Sequence, residues 1–436
     1  MSRQTAAGWD DVDRILATVR PPVFADRDFP ITAYGAVGDG RTPATEAIRT
    51  AVAECAAAGG GRVVVPPGTF LTGAVHLRSG VNLHVSEGAT LLFSSDPVDY
   101  LPVVRTRYEG VEVFNYSPMI YAYGCTDIAV TGTGTIDGGG DWDTWWGWFH
   151  RCDDDFVKLR QQGADGVPVD ERIYGPGYHL RSSFIQPYDC VNVLIEGVKL
   201  VRSPFWQVHP VLCRNVTIRD LEIDSEGPNN DGVDLESCRS VVVRGCRITA
   251  GDDCIVVKSG READGLRVNV PSEDIVVEDC TLTVKYGAIT VGSDMTGGAR
   301  NIYVRDCVIG SDRLYFGLYL KTNSIRGGFA ENIYLKDLTI STLTKEIVQC
   351  NFHRGEGDTG DLTPRVRNVE LRNITVQKAR NVLHVRGYER SPVQDLRLVD
   401  CRFDGIEAPS TIEHAEVHLD NVTVNGHPVS KAAELL

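Results

Sequence analysis

Asn301-Ile302-Tyr303-Val304, Asn332-Ile333-Tyr334-Leu335 and Asn368-Val369-Glu370-Leu371 are one phrase written three times, a small polar residue followed by a short alternating strand. The phrase occurs earlier as Asn192-Val193-Leu194-Ile195, Asn215-Val216-Thr217-Ile218 and Asp274-Ile275-Val276-Val277, each time with a second short strand behind it. Strands this short bury a face only when neighbours stack on them, and a period of roughly 20 to 35 residues is the length of a solenoid coil. The pattern predicts an all-β fold, a right-handed single-stranded parallel β-helix. Strand bonds then run between coils, and the recurrent Asn forms a side-chain ladder at a turn.

The repeats make residues 1–436 a single elongated domain, since an ordinary single core does not grow to 436 residues. Residues 1–62 read as an N-terminal strand and a capping helix. Ile48, Ala51, Val52 and Cys55 stand at helical spacing before the stop Gly59-Gly60-Gly61. Such a helix covers the open end of a strand stack. Residues 138–180 break the rhythm with Trp142, Trp145, Trp146 and Trp148, and read as a long loop over one face. Its indoles either stack on sugar rings or form a small core that pins the loop.

A formal net charge of −15 and the lack of a basic stretch argue against nucleic acid or an anionic membrane surface as partner. No run reaches the ~18 apolar residues of a membrane span, and residues 1–20 carry no signal-peptide core, so the chain as given reads as cytoplasmic, or secreted if a leader has been removed. Cys246, Cys280, Cys307 and Cys401 fall at a phase of the repeat that Leu338, Ile374 and Val422 fill elsewhere. The twelve cysteines are therefore expected to be reduced and inward-facing. With no Cys-x-x-Cys pair, neither a zinc site nor any other metal or cofactor is expected. Oligomeric state is not encoded in these patterns.

Two acidic clusters carry the chemistry. Asn229-Asn230-Asp231-Gly232-Val233-Asp234 and Gly251-Asp252-Asp253-Cys254 lie about one repeat apart. Stacking brings Asp231, Asp252 and Asp253 onto one face of neighbouring coils, at ~4.8 Å per coil step. Carboxylates so close cannot all ionise freely. One is held protonated beside an ionised partner, which is what acid/base hydrolysis of a glycosidic bond requires. Asp234 serves equally well to orient the turn beside Gly232, and is left outside the catalytic set.

These clusters resemble the Asn-x-Asp and Gly-Asp-Asp pair of polygalacturonase-like glycoside hydrolases, family 28, and the resemblance runs from Tyr34-Gly35-Ala36-Val37-Gly38-Asp39-Gly40 to about residue 425. It implies a β-helix enzyme cleaving pectic polysaccharides with inversion. Asp252 then matches the general acid, and Asp231 and Asp253 the pair that holds and activates water. Inversion is an implication of the family alone, since acids on adjacent coils are closer than inverting pairs usually are.

The resemblance also shows departures. Gly317-Leu318-Tyr319-Leu320-Lys321 resembles the family's Arg-x-Lys segment that grips a uronate, with Lys321 present and Tyr319 in place of Arg. Tyr286 stands where the family has His, and His353 where relatives carry Tyr. Exchanging Arg for Tyr trades a bidentate carboxylate grip for a neutral, stackable ring, which implies an altered sugar beside the scissile bond. Trp206, His209 and Asn229 are further candidates for lining the sugar pocket.

The sequence thus predicts a glycosidase removing terminal residues from galacturonate- or rhamnose-containing oligosaccharides, exo-acting and metal-independent. The competing expectations are a non-catalytic carbohydrate-binding β-helix and a β-helix glycosidase with a non-pectic substrate.

Overall fold

The computed structural model describes residues 8–436 and shows the predicted parallel β-helix. A coil consists of one strand on the face that carries the acids, a corner, and two strands on the other faces. Val233–Glu236, Arg239–Arg244 and Arg247–Ala250 form one such coil, and Ile255–Lys258, Ser272–Glu278 and Thr281–Val284 the next. Parallel pairing runs from coil to coil, Val233 opposite Ile255 and Val241 opposite Ile275. The acid-bearing face continues through Gly287–Gly292, Phe316–Lys321, Glu346–Asn351, Asn381–Arg386 and Thr411–Glu413.

The repeated Asn and Asp residues make the corners. Asp127, Asn192, Asn215, Asp274, Asn301, Asn332 and Asn368 all have φ between 55 and 60°. This left-handed conformation is tolerated by Asn and Asp because their side chains can hydrogen-bond locally. Here they bond to one another: Asn192 donates to Asp127 (2.7 Å), Asn215 to Asn192 (2.6 Å), Asn301 to Asp274 (3.0 Å), Asn332 to Asn301 (2.9 Å) and Asn368 to Asn332 (2.7 Å). The run is interrupted between Asn215 and Asp274, where the corner residue is Ser240.

The interior is a continuous apolar column. Cys246, Cys280, Cys307, Leu338, Ile374, Cys401 and Val422 share it, and all twelve cysteines are free and buried. The capping helix spans Thr45–Ala57 and buries Ala47, Ile48, Ala51, Val52 and Cys55 against the first coil.

A second helix, Asp10–Thr18, is absent from the sequence reading although Val12, Ile15, Leu16 and Val19 have its spacing. It lies outside the stack on Val242, Val276, Tyr303 and Tyr334. It bridges the interrupted ladder. The Arg20 backbone exchanges two hydrogen bonds with the Asn215 side chain, both 2.8 Å, and Arg14 reaches Asp274 at 3.5 Å.

Residues 138–180, read as a loop, are largely structured. They hold 3-10 turns at Trp145–His150 and Val169–Glu171, an α-helix at Asp153–Ala164, and the strand Ile173–Tyr174. That strand pairs with Val111–Asn115, half of an antiparallel hairpin with Val104–Tyr108. Trp145 is buried, Trp146 and Trp148 pack on the core, and Trp142 is exposed, so three of the four indoles pin the insertion. No helix among the described residues is long and apolar enough to cross a membrane.

Candidate active site

Register builds the site. Gly232 N–H bonds to Asp253 O (2.9 Å) and Cys254 N–H to Gly287 O (2.9 Å), so the two acidic clusters and the turn at Tyr286-Gly287 are successive rungs. Carboxylate oxygens of Asp231, Asp252 and Asp253 all lie within 4.8 Å of one another. Among the described residues this is the one grouping of His, Cys, Asp or Glu spaced to share a metal ion. Asp231 and Asp253 are buried and Asp252 half-buried, so Asp252 is the acid most open to solvent.

Small residues permit this crowding. A Cβ at Gly251 would collide with the backbone oxygen of Gly227. One at Gly287 would meet Thr290 Oγ1 and Asp253 Oδ1, the oxygen to which Gly287 N–H donates at 2.6 Å. The other oxygen of Asp253 accepts from Lys321.

Beneath the triad lies a charged floor. Lys258 Nζ stands 3.4 Å from Asp234, 3.6 Å from Asp294 and 4.0 Å from Asp231, and 3.9 Å from the centre of the Trp206 ring. Arg261 bonds Asp294 at 2.7 Å and Glu109, at the tip of the hairpin, at 3.2 Å. The sequence reading missed Lys258, Asp294, Arg261 and Glu109. Lys258 follows the second acidic cluster closely enough to have been noticed, but Glu109 is brought in by a tertiary contact that no local pattern announces.

Burial pushes the Asp252 carboxyl up to about 7, reinforced by Asp253 and opposed by Lys321 and Lys258. Asp231 is held well above the ordinary carboxylate range by burial, then by Asp234 and Asp252. Asp234 is raised to about 8 by burial despite Lys258. Burial opposes the charge of Lys258, yet Asp234, Asp294 and Asp231 outweigh it and strengthen its hold on the proton. The cluster therefore retains protons at neutral pH on acids that would have lost them in water.

The other candidates divide. Tyr286 is half-buried, its N–H 3.3 Å from Asp252 O. Tyr319 is nearly buried, its ring 4.5 Å from Lys321 Nζ. Asn229, half-buried, accepts from Arg181 at 2.7 Å.

Two expectations are corrected. His209 does not line a pocket. It is fully buried, Nε2 lies 2.8 Å from Glu236, and Nδ1 meets Ser183 (2.9 Å) and Gln186 (2.8 Å). Trp206 is buried between Phe205 and Lys258, so it backs the site rather than offering a face to sugar. His353 is exposed, 3.2 Å from Gly387 O, and opens onto a separate hollow of about 440 Å³ with Asp358, Arg390 and His414.

Comparison with known proteins identifies the family. Residues 178–426 fit the model of glycosyl hydrolases family 28. A probable polygalacturonase of Vitis vinifera is 32% identical over 375 residues, covering 82% of this chain and 70% of that protein. An exo-poly-alpha-D-galacturonosidase of Dickeya chrysanthemi is 24% identical over 90% of this chain and 70% of its own. The crystal structure of a hyperthermoactive exopolygalacturonase from Thermotoga maritima superposes with a TM-score of 0.93 at 41% identity, covering 96% of both chains. The chain belongs to glycosyl hydrolase family 28 and is a glycosidase that hydrolyses O-glycosyl bonds.

Proposed function

We propose that the enzyme removes terminal uronate residues from pectic oligosaccharides by inverting acid/base hydrolysis without a metal. The observation that carries the acid/base reading is the triad itself, three carboxylates within 4.8 Å of one another with Asp252, the least buried of them, raised to about 7, while inversion rests on the family and not on this spacing. Asp252 protonates the glycosidic oxygen as its bond to the anomeric carbon breaks. A water held by Asp231 and Asp253 attacks that carbon from the opposite side and gives up a proton to Asp253, the carboxylate of the pair that Lys321 engages. Lys321 on Asp253 and Lys258 beneath Asp231 supply positive charge where a divalent ion would otherwise be drawn in.

The elements flanking the acids support exo action. On the N-terminal side of the acids the insertion and the hairpin are fastened down, with Trp146 Nε1–H bonded to Ser203 O at 2.8 Å, Arg160 to Glu262 at 2.7 Å, and Glu109 to Arg261. Towards the C-terminal coils Gln349 and His384 remain partly exposed. A chain end would abut these fastened elements. The test is to digest oligogalacturonates, with and without EDTA, and to follow product size and the first-formed anomer by NMR. Stepwise release of one small product with inverted configuration, insensitive to EDTA, is expected. Random internal cleavage, retention or chelator inhibition sinks the corresponding part of the reading.

A further inference from the structure

By the resemblance read from the sequence Tyr319 stands in place of a carboxylate-gripping Arg, yet its ring is not left without a guanidinium. Arg354 Cζ lies 5.7 Å from the centre of that ring, and Lys321 Nζ lies 4.5 Å from it. Nearby arginines are engaged: Arg261 by Asp294, Arg326 by Glu262 and Glu356, Arg160 by Glu262, Arg390 by Asp358, Arg386 by Glu413, and Arg181 by Asn229 and two proline carbonyls. Arg354 is a half-buried residue whose guanidinium has no ion pair or hydrogen bond among the described residues. A guanidinium without a counterion is free to pair with an anion that arrives beside it.

The backbone holds Arg354 in place. Its N–H bonds to Asn351 O at 3.3 Å, its carbonyl accepts from Gly357 N–H at 3.1 Å and from Asn323 Nδ2 at 3.3 Å, and Asn323 follows Lys321 by two residues. Gly355 and Gly357, with φ of 58 and 66°, allow the turn. The register adds a second observation. Thr290 and Gln349 flank Tyr319 on the neighbouring rungs, and Thr290 Oγ1 and Gln349 Oε1 are buried atoms without a hydrogen-bond partner. A polar ligand over Tyr319 would meet both cations.

Resting on the proposed uronate specificity, we infer that Arg354, delivered from the loop one coil further on, acts with Lys321 to bind the carboxylate of the sugar beside the scissile bond. Arg354 thereby restores the charge that Tyr319 removes. Recognition is then split between two coils, with the Tyr319 ring as the surface on which the guanidinium rests.

The test compares trigalacturonate with its methyl ester, by turnover and by calorimetric binding in the Asp252→Asn background, which does not depend on catalysis. Arg354→Gln is expected to weaken binding and kcat/KM for the acid by about 10- to 150-fold, the range of a lost charge-assisted pair, and to leave the ester within a few-fold. Arg354→Lys should recover much of the loss. An unchanged acid-to-ester ratio in Arg354→Gln, whether both substrates weaken or neither does, overturns the inference. Absence of turnover by the wild type on either compound would refute the proposed reaction, while the binding ratio would still decide the role of Arg354.

Discussion

Asp253 is held by Lys321 from two coils away, an ion pair formed within the same carboxylate cluster that raises Asp252. One cation thus serves two acids. It engages Asp253 directly and moderates the proton affinity of Asp252 through space.

Because Asp252 must be protonated to donate, kcat/KM is expected to fall as pH rises through about 7. Removing Lys321 removes a charge that favours ionised Asp252, so Lys321→Met should carry this alkaline limb to higher pH. A limb that stays in place, or moves down, contradicts the coupling.

Asp252→Asn keeps the shape and loses the proton. Turnover should drop by roughly 10²- to 10⁴-fold with KM little altered, as steady-state kinetics will show. Near wild-type turnover would assign the acid role elsewhere.

The same substitution has a sign in stability. Unfolded Asp252 ionises near 3.8, whereas in the fold it ionises only near 7, so between these values the unfolded state loses the proton first and wild-type stability falls as pH rises. Asn carries no such dependence. The Tm of Asp252→Asn relative to wild type should increase between pH 4 and pH 7 in calorimetric scans. A difference flat with pH would mean that this acid is not buried against its charge.

All twelve cysteines are free and buried, and burial raises the thiols of Cys55, Cys254 and Cys401. Native protein should react slowly with a thiol reagent and denatured, unreduced protein should titrate twelve. Fewer than twelve would reveal a disulfide that the fold does not contain.

The fold was legible because a solenoid writes its period into the chain. The corner Asn, the inward Cys and Val, and the two acidic clusters each recur at coil spacing, and the structure places them as read. Outside the period the capping helix was legible from its own apolar spacing, and other elements were not. The helix Asp10–Thr18 is too short and polar to stand out, and the helix and turns of 138–180 depend on a hairpin at Val104–Asn115 that shows only in three dimensions. Within the site, the sequence supplied the acids, Tyr319 and Lys321. It could not show that His209 is sealed inside by Glu236, nor that Arg354 reaches back over Tyr319.

A stack of coils is ordinarily a one-dimensional object, in which each repeat knows only its neighbours and unravelling proceeds from the ends. The N-terminal segment changes that. Arg20 and Arg14 fasten onto Asn215 and Asp274, on either side of the corner where the side-chain ladder lapses, so the beginning of the chain and the coils bearing the acids share one fate. The array acquires a long-range coupling term. Loss of the first twenty residues should register as faster hydrogen exchange in the middle of the solenoid, around the catalytic coils, rather than at its capped end.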